Sequence, residues 1–175
     1  LYEIGELVTY GSHGVCKIGD ITEESFGEEM KSYYILHPTD QPTLTIYCPV
    51  DSSRSTLKNI VSKEKAKLLL DCFSKPADNW IERHSARFQS FNSTIKTGNP
   101  LNIASLVNTL SRKEIELENN GKKLSSQDFQ VLQQVRQILF EELALSLSTT
   151  TDTISDRVHQ LISQSSDDSN AALAE

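Results

Sequence analysis

The apolar residues of this chain keep two different periods, and the change between them dictates an architecture of two parts. Up to about residue 61 they come in short runs, broken by glycine and proline, that alternate with polar residues. Such alternation sends side chains to opposite faces of a strand. Beyond Pro76 they recur at steps of three and four, which lines one face of a helix. The turnover falls in residues 76–100, which also hold the only tryptophan, Trp80.

In the first part, residues 2–10 are rich in β-formers, and the GSHG of residues 11–14 breaks the pattern as a turn does. Residues 15–21 alternate again. A polar tip follows, in which Gly27 suits a turn needing positive φ. Residues 32–36 read as a third strand and 44–48 as a fourth, stopped by Pro49. Residues 57–61 make a short fifth. Short strands joined by tight turns predict a small, strongly curved β-barrel. Alternation turns Thr45 and Tyr47 to one face of the fourth strand, and Leu44, Ile46 and Cys48 to the other. If that strand is an edge, its backbone can pair with a partner strand.

Ser62 reads as the N-cap of a helix over residues 63–73, with Ala66, Leu69, Leu70 and Phe73 on one side. Pro76 ends it. Asp78 reads as the cap of the next helix, whose apolar face is Ile81, His84, Phe88, Phe91 and Ile95. Trp80, Arg83 and Arg87 lie beside that face as one stripe. Gly98 suits a helix stop, Asn99 a new cap and Pro100 a first helical position. The following helix carries Ile103, Leu106, Val107, Leu110 and Leu117 and stops near Gly121, leaving Lys122 and Lys123 in a loop. Ser125 and Asp128 resemble a capping box for a last helix carrying Phe129, Leu132, Val135, Leu139 and Leu143. Helices joined by short links predict a compact bundle. From residue 146 the pattern fades. Ile154, Val158, Leu161 and Ile162 allow one more short helix, and residues 163–175 read as disordered.

Charge narrows the function. The net charge of −7 argues against bulk electrostatic binding to nucleic acid. Residues 76–145 hold 8 basic and 8 acidic side chains, so this segment repels phosphate least. The three cysteines, Cys16, Cys48 and Cys72, are far apart and lack zinc-ligand spacing, which predicts buried or half-buried free thiols in a reducing cytoplasm. His13, near Ser12 and Cys16, has no base and orienter at recognisable spacing, and there is no phosphate loop or nucleophile elbow. No enzymatic activity, cofactor or metal is expected. No apolar run is long enough to cross a membrane, and no secretory leader is visible. The chain begins at Leu1 rather than Met, consistent with native residues before it, a removed leader included.

The GELVTYGSHG of residues 5–14, the YYIL of 33–36 and the IYCPVD of 46–51 together resemble the CarD/CdnL/TRCF family of bacterial transcription factors. The second part agrees: Asn79-Trp80 with Arg83, then KTG at 96–98, Leu106-Val107 with Leu110, Leu124-Ser125, RQIL at 136–139 and ELAL at 142–145 keep the family's order. The resemblance spans residues 2–145 and implies an α+β protein, an N-terminal Tudor-like β-barrel followed by a helical bundle. Residues 1–61 would be the polymerase-interacting domain, 62–75 a linking helix, 76–147 a helical DNA-contacting domain and 148–175 an acidic, largely disordered tail.

The resemblance further implies a monomer that docks on the RNA polymerase β subunit through Thr45, Ile46, Tyr47 and Pro49. Its helical domain would touch promoter DNA at the upstream edge of the melted bubble through Trp80, Arg83, Arg87, Lys122 and Lys123. A cytoplasmic protein, nucleoid-associated through polymerase, is expected. Two departures stand out: Ile81 and Glu82 follow the tryptophan where relatives often carry basic residues, and Tyr47 stands where some members carry a basic polymerase contact. Plainer readings exist beside these. Trp80 could be core, the lysines and arginines solvated charges, and Ile46 and Tyr47 barrel packing. An alternative function is a protein-only interaction module without DNA contact, favoured by Glu82 and the acidic balance.

Overall fold

Alternating apolar residues make the first sixty residues into a sheet. The computed structural model describes residues 1–25 and 29–172, and the side chains of these except residues 55 and 167–172. The chain divides into two units, Leu1–Ile60 and Val61–Glu175. The first contains β1 (Leu7–Tyr10), β2 (Val15–Ser25), β3 (Met30–Pro38), β4 (Ile46–Pro49), the short helix α1 (Val50–Thr56) and β5 (Leu57–Asn59). These strands form one five-stranded sheet of order β4-β3-β2-β1-β5, antiparallel at every pairing. The α+β class expected from sequence holds, with this small β unit preceding helices.

Val8, Cys16, Ile18, Tyr34, Leu36, Cys48 and Leu57 fill the core of the β unit. They are the inward residues that period-two alternation selects. The first strand is shorter than residues 2–10 suggest. Tyr2 lies off the sheet, with its backbone N–H donating to the Tyr34 hydroxyl at 3.0 Å. The β2–β3 register shifts between Ile18 and Asp20. Gly19 fits that irregularity because a Cβ there would stand 2.7 Å from His37 Cδ2. The His37 ring in turn bonds the Leu44 carbonyl oxygen through Nδ1 at 3.0 Å, which holds the approach to β4. The turn expected at Gly27 lies outside the described residues.

The second unit contains α2 (Lys63–Asp71), a 3-10 turn at Cys72–Ser74, α3 (His84–Thr97), α4 (Pro100–Asn119), α5 (Ser126–Leu147) and α6 (Thr151–Ala172). Several termini follow local rules. Ser62 accepts from the Lys65 N–H at 3.2 Å. Gly98 closes α3 in the left-handed region, φ 57°, and Asn99 Oδ1 accepts from the Leu101 N–H at 3.0 Å, with Pro100 beginning α4. The core joins Leu69 and Phe73 to Val107, Leu110, Leu132 and Leu139. The segment read as a linking helix thus belongs to the bundle, and Glu142, itself buried, accepts from the Val61 N–H at 3.0 Å.

Four expectations need correction. The helix after Pro76 begins at His84, with residues 79–83 irregular ahead of it. Asp78 does not cap it. Its carboxylate accepts from the Ser105 hydroxyl at 2.6 Å and its N–H donates to Thr109 Oγ1 at 3.0 Å, so tertiary partners have claimed both groups. Phe129, read as core, is 45% exposed, and Phe140 is buried instead. The tail, expected to be largely disordered from residue 148, carries the long helix α6. Its Ile154, Val158 and Ile162 enter the core, and Arg112 on α4 donates to Ser165 at 2.5 Å. Residues 173–175 lie outside the described residues. Removing residues 151–175 therefore takes three buried aliphatic side chains from the bundle, each worth roughly 1.5–3 kcal/mol. The truncated chain is expected to unfold at clearly lower urea, and an unchanged midpoint would contradict the packing of α6.

Candidate functional site

Two surfaces gather the residues singled out in the sequence. On the β unit, β4 is an edge strand whose only strand partner among the described residues is β3. Ile35 pairs with Tyr47 and Leu36 with Ile46. Cys48 points into the core, Ile46 and Pro49 are half-buried, and Thr45 and Tyr47 face outward, as alternation requires. The Tyr47 ring meets the Tyr33 ring edge-on at 6.3 Å, giving this edge an aromatic outer face. Thr45 precedes the strand rather than lying in it.

The second surface is built around Trp80 in the helical unit. Because residues 79–83 are irregular, Trp80, Arg83 and Arg87 do not form a helical stripe. The structure nonetheless places Arg87 on Trp80, with its Cζ 4.5 Å from the indole centroid. Arg87 is only 7% exposed. Its Nε and Nη2 donate to the two carboxylate oxygens of Asp128, at 3.0 and 2.8 Å. Its Nη1 donates to the carbonyls of Ile81 and Glu82, at 2.7 and 3.1 Å. Arg87 is therefore an internal strut and not the outward DNA contact that the sequence suggests.

Asp128 sits in the first turn of α5, where Ser125 accepts from its N–H at 3.1 Å and donates to its Oδ2 at 2.7 Å. Burial pushes the Asp128 carboxyl up. Hydrogen bonds from Arg87 and Ser125 and the positive charges of Arg87 and His84 outweigh that and hold it below its ordinary value of 3.8. Ser125 thus caps α5 as expected, while the Asp128 carboxylate meets the Ser125 hydroxyl and, in an engagement the capping reading misses, Arg87. Nothing local announces a partner 41 residues away.

The same ion pair brings two segments together. It ties the carbonyls of residues 81 and 82 to the start of α5, and the loop carrying Lys122 and Lys123 runs directly into that start. Arg83, Lys122 and Lys123 are exposed and make no side-chain ion pair among the described residues. A residue that the sequence reading passed over joins them. Lys113 Nζ lies 5.5 Å from the Trp80 ring centroid while pairing with Glu116 at 2.8 Å. Its place in a charged helical run gave no sign of this. Glu82 is exposed, and its carbonyl rather than its carboxylate meets Arg87.

Trp80 itself is half-buried and packs on Phe91 at 6.4 Å. Beside it opens a cleft of 180 Å³ lined by Asp78, Phe91, Asn102, Leu106 and Thr109 among others. Cys16, Cys48 and Cys72 are buried and form no disulfide. His13 stacks on Tyr10 at 5.7 Å. Among the described residues no group of His, Cys, Asp or Glu side chains could hold a metal ion, and no helix is long and apolar enough to cross a membrane.

An edge-presenting β unit and a helical unit with an aromatic–cationic end define a modular interaction protein. Comparison with known families places it more closely. Residues 2–61 match the family described as the CarD-like/TRCF RID domain, and residues 68–159 match the CarD C-terminal domain. The chain belongs to the CarD-like family of RNA polymerase-interacting transcription factors, whose domains are non-enzymatic and regulatory.

The buried pair gives a pH-dependent prediction. Asp128 has a folded pKa below its unfolded one, so its stabilisation is complete above the ordinary carboxylate value and fades as pH falls towards the lowered one. Asp128→Ala, which strands a buried guanidinium, is expected to cost roughly 3–5 kcal/mol at neutral pH. Its deficit relative to wild type should shrink on acidification. Urea titrations at several pH values check this, and a constant deficit would contradict it.

Proposed function

We propose that this chain binds the RNA polymerase β subunit through the β4 edge and stabilises the promoter open complex through the Trp80 end of its helical unit. The observation that supports this most is the setting of Trp80. A half-buried indole is carried on a buried ion pair, with Lys113 near its ring and Arg83, Lys122 and Lys123 on segments tied to the same ion pair. A planar apolar wedge with cationic neighbours suits the minor groove of distorted duplex at the upstream edge of the bubble. In this reading Trp80 meets the groove and Arg83, Lys122 and Lys123 meet phosphates.

The β4 edge supplies the anchor. Its backbone offers strand pairing to the polymerase, and Thr45, Ile46, Tyr47 and Pro49 frame the contact. Backbone pairing explains why Tyr47 can replace a basic residue. Docking raises the local concentration of DNA, so a weak helical contact suffices. Holding the bubble open would help a promoter limited by melting and hinder one limited by escape.

A second reading, a module that contacts only protein, is favoured by the exposed Glu82 and the net charge of −7. Salt separates the two. Phosphate contacts make the effect on promoter complexes fall between 50 and 200 mM salt by about three- to fourfold per phosphate, whereas an apolar protein interface gives a shallow slope.

Trp80→Ala is expected to shorten open-complex lifetime about tenfold, the weight of roughly 1.4 kcal/mol, while leaving affinity for polymerase intact. Equal lifetimes would remove Trp80 from the mechanism. Tyr47→Asp is expected to do the reverse, weakening capture of a β-subunit fragment by the full chain. Undiminished capture would move the anchor away from β4.

A further inference from the structure

We propose that the two cations on the Trp80 indole do different jobs: Arg87, clamped by Asp128, is a positioning residue that fixes the ring, whereas Lys113 contacts a phosphate of the DNA backbone. This rests on the DNA reading above and assigns the charges of that site.

Arg87 cannot reach a ligand. Its side chain is 8% exposed, and four of its N–H donors are taken by Asp128 and the carbonyls of Ile81 and Glu82. A guanidinium has five such donors, so little remains for a phosphate. What it does reach is the segment that carries Trp80. Residues 79–83 have no helix or strand to hold them. Arg87 grips two of their carbonyls and lies 4.5 Å from the indole centroid, while Phe91 backs the ring. A chain of contacts therefore runs from Ser125 through Asp128 and Arg87 to Trp80.

Lys113 has the opposite character. Its side chain is 21% exposed and its partner Glu116 is 58% exposed. A pair with one partner so exposed is open to solvent and screened by salt. Exchanging Glu116 for a phosphate oxygen costs little, and an ammonium serves phosphate as a point charge. The ammonium already stands near the ring that would enter the groove, 5.5 Å from its centroid.

The test is the salt dependence of the gain in open-complex lifetime that the full chain confers on polymerase. Lys113→Gln is expected to flatten the slope of log gain against log salt by about 0.9, the signature of one lost phosphate contact on duplex DNA. Arg87→Lys and Asp128→Asn are expected to lower the gain at every salt concentration and leave the slope unchanged. They should also shift the emission of Trp80 to the red and increase its quenching by iodide, a clean signal because it is the sole tryptophan. An unchanged slope for Lys113→Gln, or a flattened slope with unaltered emission for Arg87→Lys, would overturn the division. Should the Arg87 and Asp128 variants not fold, the wild type still decides: iodide quenching as strong in the native chain as in free tryptophan would refute a fixed ring. Trp80→Ala separates this idea from the reading beneath it. If that variant retains the full gain, the DNA reading fails. If it loses the gain while Lys113→Gln keeps the slope, only the division of labour fails.

Discussion

The buried pair between Arg87 and Asp128 is the constraint on which the helical unit's outer end depends. Side-chain exposures of 8% and 5% take both charges out of water. Such burial is expensive, and an apolar pair of similar volume often stabilises a fold as well or better. The return here is conformational. The guanidinium fork is the one side chain that can satisfy a carboxylate bidentately and still donate to two backbone carbonyls. It thereby fixes an irregular segment that local hydrogen bonding leaves loose. Lysine in its place would keep the charge and lose the fork.

That constraint also explains what was and was not legible in the sequence. Features set by neighbours in sequence read correctly. The inward residues of β2 and β3, the caps at Ser62 and Asn99, and the left-handed stop at Gly98 all follow from spacing and backbone chemistry. Features set by distant partners did not. Asp78 looks like an ideal cap, yet Ser105 and Thr109 on α4 hold it, and the helix begins six residues later, at His84. Arg87 looks like a surface charge until Asp128 is placed beside it. The α6 segment is rich in small polar residues and lacks intrinsic helical weight. Its few apolar side chains suffice only because α5 and the 3-10 turn at Cys72–Ser74 offer them a face. The order of short motifs reached the right family even so, because order survives errors in where each helix starts.

Charge poses the remaining objection to a DNA-facing site. A net charge of −7 would repel a polyanion if it acted as a whole. At physiological ionic strength, however, fields decay over about 8 Å. A phosphate near Trp80 would sense Lys113 and whichever of Arg83, Lys122 and Lys123 lie close, with Glu82 and Glu116 partly offsetting them. With Lys113 already paired to Glu116, such a site would not capture DNA from solution by charge alone. Under the proposed docking it would be adequate once strand pairing at β4 had brought the duplex close, since the second contact would then be intramolecular. The acidic remainder has a use in that scheme: it suppresses binding to DNA away from polymerase, so that the weak site acts only where the anchor has put it.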